Sequence, residues 1–282
     1  MGLRLLTLAP RQGWTWISRA AAVWRRRPLS FIGLFATFLF TVILLMSLVP
    51  VIGGLLGMAL VPLLSLGFMI ATRSALAGGP INAAMFVAGL RAPDRQRRRS
   101  QWLLCAAYAG ASVGVVLLSD WLDGGSLEAL MQAMAKAPPD ASSPAVAAAL
   151  ADPQLIWGLL LRSALAAALS VPFWHASALV HWHGQGAVQA LFSSTLAVWR
   201  GRAAFLVYGL GWAAVMLAVS LLSMLLVLLL GSKAVGFMAM LVGLALSALF
   251  YVSLWFSFAD SFGDDLHDGS SASDKPAIAP SV

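Results

Sequence analysis

The residues that could do chemistry in this chain are few, and the most unusual of them is a charge inside an apolar segment. Arg162 lies about two helical turns beyond Pro153, within a run of apolar residues. A charge in such a setting is costly, so a residue that carries one is a candidate functional residue. Two interpretations stand: Arg162 anchors a phosphate or a partner's carboxylate, or its side chain extends to the polar boundary of the segment. The nearest acidic residues, Asp120 and Asp123, lie at the end of another apolar run.

The basic run at residues 95–99 is the second set of candidate contacts. Nucleic acid could bind such a run, but no aromatic residues interleave with the arginines and no recognisable nucleic-acid module surrounds them. Clustered arginines beside an apolar segment are typical of contact with anionic lipid headgroups. We therefore predict lipid or partner contacts and no nucleic-acid partner. The predicted contacts are Arg162, Arg95, Arg97, Arg98 and Arg99.

Three histidines, His175, His181 and His183, cluster in the same apolar run as Arg162. Three imidazoles are a possible metal ligand set, but His181 and His183 are two residues apart and therefore point to different faces of a helix. The metal-binding pattern HExxH is absent, and so is a carboxylate at chelating spacing. The spacing favours core or interfacial histidines, and we predict no metal site.

Asp260 ends the last apolar run, where a carboxylate at a helix C-terminus opposes the helix dipole. An arginine partner would make this position favourable. We therefore predict that Asp260 is a structural clamp between this helix and a basic loop. The candidate partners are Arg27, Arg91, Arg200 and Arg202.

Catalytic signatures are missing from the rest of the sequence. There is no Walker loop, no pair of catalytic carboxylates and no nucleophile with a base beside it. The single cysteine, Cys105, can form neither an intrachain disulfide nor a metal site by itself. We predict that the protein is not an enzyme, has no cofactor and is not a proton-driven pump.

The elements that must position these residues are long apolar helices. Of 282 residues, 60% are hydrophobic and only 10% are charged, and the mean hydropathy is +0.87. Six runs are long enough to cross a bilayer, which takes about 20 residues. We predict an all-α transmembrane bundle in one domain, 1–262. The predicted spans are 28–49, 51–72, 101–121, 154–182, 203–230 and 234–260, with bends at Pro62 and Pro172.

The distribution of charge assigns the sides of the membrane. The net charge is +7, and most of the arginines precede span one or lie between spans two and three. The loop at 122–153 is instead acidic, so the positive-inside rule places it outside and both termini in the cytoplasm. Within this loop, Leu127, Leu130, Met131 and Met134 have helical spacing. The polar tail, 263–282, is predicted to be disordered.

Each pair of spans follows a segment with interfacial character, at about 11–25, 81–91 and 185–200. This pattern suggests a threefold repeat. The first segment places Trp14, Ile17, Ala21 and Trp24 on one stripe. The third places Val188, Leu191, Phe192, Thr195 and Trp199 on one stripe.

Three stretches resemble an uncharacterised family of proteobacterial six-helix inner-membrane proteins. They are the opening residues 6–16 with 25–29, the region from Phe173 to His183 with 204–210, and the closing residues 258–262. The resemblance covers nearly the whole chain except 122–153 and the tail. It implies the fold and a bacterial inner-membrane location but no activity. Where the family pattern has an apolar residue and a proline after the tryptophan of span four, this chain has His175 and no following proline.

Two functional hypotheses follow. The first is a non-enzymatic inner-membrane protein that binds lipid or a protein partner, as a scaffold or as a homo-oligomer, with anionic headgroups contacted at the cytoplasmic face. The alternative is a transporter with a path beside Arg162 and the bent fourth span, because broken helices and buried polar residues are the usual signs of such a path.

Overall fold

The computed structural model describes residues 6–136, 144–230 and 232–263, and within these ranges the chain is helical, with no strand. The predicted disordered tail lies outside the described residues from residue 264 onward. The α-helices are α1 Gln12–Arg26, α2 Pro28–Leu48, α3 Pro50–Leu76, α4 Arg95–Asp123, α5 Ser126–Lys136, α6 Pro144–Leu150, α7 Pro153–Phe173, α8 Ala176–His183, α9 Ala187–Arg200, α10 Arg202–Leu230 and α11 Ser232–Phe262, and a 3-10 helix spans Ala83–Val87.

Within the described ranges, six spans are long and apolar enough to cross a membrane: α2, α3, α4, α7 together with α8, α10 and α11. The predicted all-α bundle of six spans is therefore confirmed. The helix predicted in the acidic loop is confirmed as α5. The three segments predicted before the hairpins also form helices, namely α1, the 3-10 helix and α9.

The first hairpin shows why its sequence turns so sharply. Val49 ends α2 and Pro50 begins α3, where proline needs no donor and its fixed φ favours the first helical turn. Gly53 then lies directly against the backbone of α2: a Cβ built there would be 2.6 Å from the Met46 nitrogen. At the neighbouring Gly54 a Cβ would meet nothing within 4 Å. The small residue at 53 therefore permits close packing of the two helices within this chain.

The predicted bend in span four is a break. Pro172 lacks the N–H of a regular helix, α7 ends at Phe173, and α8 begins at Ala176. Ser194 of α9 fills the gap, since its hydroxyl accepts from His175 N–H at 3.0 Å and donates to the Val171 carbonyl at 3.1 Å. In an unbroken helix this N–H would bond that carbonyl directly, so a side chain has been inserted into the helical ladder.

The helices before the hairpins pack in a cyclic order. The 3-10 helix packs on α3 of the preceding hairpin, and α9 packs on α7 and α8 of the preceding hairpin. Helix α1 begins the chain and packs on α10 and α11, which form the last hairpin. The described helices therefore form a ring. The first two hairpins each pack against the segment that follows them in the chain, and the last hairpin packs against α1 at the beginning of the chain.

The predicted apolar stripe of α1 differs from the face that α1 buries in the bundle, and only Ile17 belongs to both. Trp14 is 56% exposed, whereas Gly13, Trp16, Ile17, Ala20 and Val23 are buried. Gly13 allows α1 to pack closely on α10, since a Cβ there would lie 2.6 Å from the Tyr208 nitrogen. Helix α9 likewise buries Ala190, Ser194 and Ala197, and it leaves Val188, Phe192 and Trp199 of the predicted stripe exposed.

Candidate functional site at the basic end of the bundle

Arginines from several elements gather at one end of the bundle, here called the basic end. Arg27 donates to the Gly79 carbonyl at 2.6 Å, just beyond α3. Arg97, near the start of α4, donates to the His181 carbonyl in α8 at 3.0 Å. Arg19 of α1 pairs with Asp260 at the end of α11. These contacts place the beginning of α4 and the ends of α3, α8 and α11 at the same end.

A large open groove lies at the basic end between the first turns of α4 and α9. Its volume is about 1170 Å³, and we call it the basic groove. The groove is lined by Asp94, Arg95, Gln96, Arg99, Ser100, Leu103, Gly186, Ala187, Val188 and Gln189. Two of the predicted contact residues, Arg95 and Arg99, therefore share one concave surface.

The geometry of the first turns of α4 explains why Arg95 and Arg99, and not the neighbouring arginines, line the groove. Asp94 caps α4 by accepting from Gln96 N–H at 2.8 Å, which starts the helix immediately before Arg95. Arg95 and Arg99 are four residues apart and therefore face the same side. Arg97 points instead to α8 and also contacts the Asp94 carboxylate at 3.6 Å. Arg98 is exposed and does not line the groove.

The opposite wall of the groove is the first turn of α9. Gly186 precedes the helix and supplies no side-chain cap, so the first backbone N–H groups of α9, in residues that line the groove, have no intrahelical acceptor. Helix N-termini of this kind carry partial positive charge. Leu103 and Val188, 50% and 82% exposed, add apolar surface to the lining. The groove thus combines positive charge and backbone donors with apolar side chains.

Asp260 is held by a different partner from the four that were predicted. Its carboxylate accepts from the indole N–H of Trp16 at 2.8 Å and from Arg19 at 3.2 Å. Arg27, Arg91, Arg200 and Arg202 were thus the wrong candidates. The sequence signal that could have found the partner is the three-residue spacing of Trp16 and Arg19, which puts both on one side of α1. The contact joins α1 to α11.

Arg162 does not belong to the basic groove. It forms an ion pair with Asp120 of α4, near the other end of the bundle. Spans α4 and α7 run side by side in opposite directions, since Tyr108 lies against Phe173 at 5.0 Å between ring centroids and Asp120, further along α4, pairs with Arg162, earlier in α7. Asp120 is one of the two acidic residues that the sequence analysis named as nearest to Arg162.

The three histidines are separated in the structure. His175 is completely buried at the break of span four, where its Nε2 lies 3.1 Å from the Ser257 hydroxyl. His181 contacts the edge of Trp182, and His183 lies beside Phe258. Across the described ranges, no group of three His, Cys, Asp or Glu side chains could hold a metal ion.

Six apolar spans that carry a cluster of arginines at one end define a multi-pass helical membrane protein. No family model matches the chain, and no solved structure matches it. A probable inner membrane protein of Burkholderia thailandensis is 32% identical over 264 residues, which cover 93% of this chain and 94% of that protein. The chain belongs to the family of this inner membrane protein. The membership confirms the predicted family resemblance and the inner-membrane location.

Proposed function

We propose that this protein is a non-enzymatic inner-membrane protein that binds anionic lipid headgroups in the basic groove. The observation that carries the proposal is the placement of Arg95 and Arg99 on one concave wall, facing the uncapped first turn of α9. Phosphate groups favour such a combination of guanidinium groups and helix N-terminal N–H donors. The exposed side chains of Leu103 and Val188 suit the beginning of an acyl chain.

The charge of the groove supports an anionic ligand. Asp94 is its only acidic lining residue. That carboxylate already accepts from the Gln96 backbone and contacts Arg97, so its charge is offset within α4. Arg95 and Arg99 form no ion pair with any carboxylate of the described residues. The groove therefore keeps positive charge available for a phosphate.

Native mass spectrometry with defined lipids tests this proposal. The protein is equilibrated with equal amounts of phosphatidylglycerol and phosphatidylethanolamine, and the retained lipids are counted. The test variant is Arg95→Gln/Arg99→Gln, and the control is Arg91→Gln/Arg98→Gln, which removes the same charge from exposed arginines outside the groove. An arginine in contact with an anionic headgroup contributes about 1 kcal/mol, so loss of both groove arginines should lower selectivity for the anionic lipid about thirtyfold, whereas Arg91 and Arg98 lie outside the groove and should contribute less.

The control should retain most of its selectivity for phosphatidylglycerol. Equal losses in both variants would mean that the lipid responds to total charge and not to the groove. An unchanged selectivity in the groove variant would contradict the proposal directly.

We also propose that the basic end faces the cytoplasm, together with both termini. Support comes from the concentration of arginines there, since cytoplasmic segments next to spans carry an excess of Arg and Lys. At the other end lie the α2–α3 turn and the exposed Trp121 and Trp157, which suit a membrane boundary.

Transport is the second candidate function, and the break in span four favours it. Discontinuous helices commonly line substrate paths. In this case Arg162→Ala, which also removes the ion pair with Asp120, should abolish a substrate-dependent flux through the protein in liposomes. Unchanged flux in this variant would count against a path beside Arg162.

A further inference from the structure

A cavity of about 170 Å³ lies where four spans meet, and it is partly open to the surface of the bundle. It is separate from the basic groove and shares no lining residue with it. Helices α3, α4, α7 and α11 contribute its walls, together with the first residue of the break in span four. The cavity is lined by Val61, Pro62, Ser65, Tyr108, Ser170, Phe173, Trp174, Phe250, Tyr251 and Leu254.

The cavity lies within the apolar part of the spans. Tyr108 follows the start of the predicted span 101–121 by seven positions, and Ser170 follows the start of the predicted span 154–182 by 16. At about 1.5 Å per residue, these positions are about 10 Å and about 24 Å from the opposite boundaries. The apolar core of a bilayer is about 30 Å thick, so the cavity is inside it, in the half nearer the basic end.

Backbone irregularities lie on two sides of the cavity. Pro62 is inside α3, and Trp174 is in the break of span four. A proline within a helix leaves the carbonyl four residues earlier without its usual donor. Binding sites in membrane proteins are commonly built where helices are interrupted in this way, because irregular backbone is tolerated where it borders a cavity.

Four hydroxyl groups belong to the lining residues, and two of them have no partner. Ser170 donates to the Ala167 carbonyl at 2.7 Å, and the Tyr108 hydroxyl is close to that of Ser112. The hydroxyls of Ser65 and Tyr251 form no hydrogen bond to any part of the chain that the structure describes. In a bilayer core, where water is scarce, a hydroxyl without a partner is costly and favours a ligand that can bond it.

The lining also limits the ligand. None of the ten lining residues is charged, so an ionic group would have no counter-charge at this depth. A volume of about 150 Å³ holds a benzene-sized molecule. Ordinary diacyl lipids expose only methylene groups this far from the headgroups, so they cannot satisfy the free hydroxyls.

We infer that this cavity binds an uncharged lipophile that carries a hydroxyl or carbonyl group and has about the bulk of a six-carbon chain or ring. Ser65 and Tyr251 bond its polar group, and the rings of Phe173, Trp174 and Phe250 enclose its apolar part. The site is independent of headgroup binding in the basic groove.

Photolabelling in proteoliposomes tests the site with a matched pair of probes: a diazirine-bearing hexanol and the corresponding hexane without the hydroxyl. Labelled residues are mapped by peptide mass spectrometry. We expect hexanol to label the lining residues about fivefold more than hexane does, as one net hydrogen bond implies. In Ser65→Ala/Tyr251→Phe this preference should disappear.

The control variant is Ser163→Ala, which removes an exposed hydroxyl from α7, a helix that borders the cavity, at a position outside the cavity. It should keep the wild-type preference, and far-UV circular dichroism confirms that both variants are folded. Equal labelling of the cavity by both probes would overturn the inference. Labelling confined to the lipid-facing surface, or a preference for hexanol that survives loss of both hydroxyls, would overturn it as well.

Discussion

The Ser194 hydroxyl is the contact whose removal should most clearly disturb the broken fourth span. It connects His175 N–H, at 3.0 Å, with the Val171 carbonyl, at 3.1 Å, and the Ser194 side chain is fully buried. Ser194→Ala changes the side-chain volume little but removes both hydrogen bonds. The expected result is a less stable junction between α9 and span four.

The magnitude follows from which groups lose their partners. Val171 keeps a second donor, Trp174 N–H at 3.4 Å, so the group left without a partner is His175 N–H. An unpaired buried N–H costs about 1–3 kcal/mol. Hydrogen bonds measured between helices within membranes average only about 0.6 kcal/mol, which lowers the upper end of that range. We expect Ser194→Ala to reduce the free energy of unfolding by about 1–2 kcal/mol.

Reversible unfolding in mixed detergent micelles, followed by circular dichroism and tryptophan fluorescence, measures this change. Thr195→Ala is the matched control, because that hydroxyl is exposed and bonds only the Leu191 carbonyl of its own helix, at 2.8 Å. The control should shift stability by less than about 0.5 kcal/mol. If Ser194→Ala shifts stability no more than the control does, Ser194 does not bridge the break and the argument is refuted.

Three further outcomes are expected. Gly53→Ala should destabilise the protein by more than about 1 kcal/mol, because its Cβ would overlap the backbone of α2. The control Gly54→Ala should change stability little, because a Cβ there meets open space, and equal thermal unfolding midpoints for the two variants would contradict this packing. Asp260→Ala should lower the free energy of unfolding, measured with denaturant, by about 1–3 kcal/mol, because it leaves the buried Trp16 indole N–H without an acceptor. Asp260→Asn keeps an acceptor and should lower it less, and the reverse order would show that the charge of Asp260 matters more than this hydrogen bond. A reporter fused after Ser126 should read as periplasmic, and a cytoplasmic signal there would overturn the topology.

The spans could be predicted from the sequence because one physical property decides them. An apolar run long enough to cross a bilayer has few alternatives to a helix, since its backbone groups must bond internally. The bend at Pro172 could also be predicted from the sequence, because proline removes a donor wherever it stands in a helix. The insertion of Ser194 into that break could not be predicted, because it depends on how α9 packs against span four.

The contacts of the charged residues were harder to predict for the same reason. Asp120 and Arg162 are 42 residues apart, and only the antiparallel packing of α4 and α7 brings them together. Arg19 and Asp260 are 241 residues apart and meet because α1 folds onto the last hairpin. Local sequence identifies a charge that needs a partner, whereas helix packing determines which partner it gets.

The cyclic packing explains why the candidate headgroup site lies at the basic end. The segments that hold the hairpins together, α1, the 3-10 helix and α9, are near the starts of the hairpins, and the large buried side chains such as Trp16, Phe68 and Trp255 are also there. The opposite ends of α2 and α10 are mostly exposed. A site needs side chains held in fixed positions by a packed shell, and the basic end is where this chain provides one. In the basic groove this shell is α9 itself: its first turn forms one wall, while its Ser194 is fixed in the break of span four.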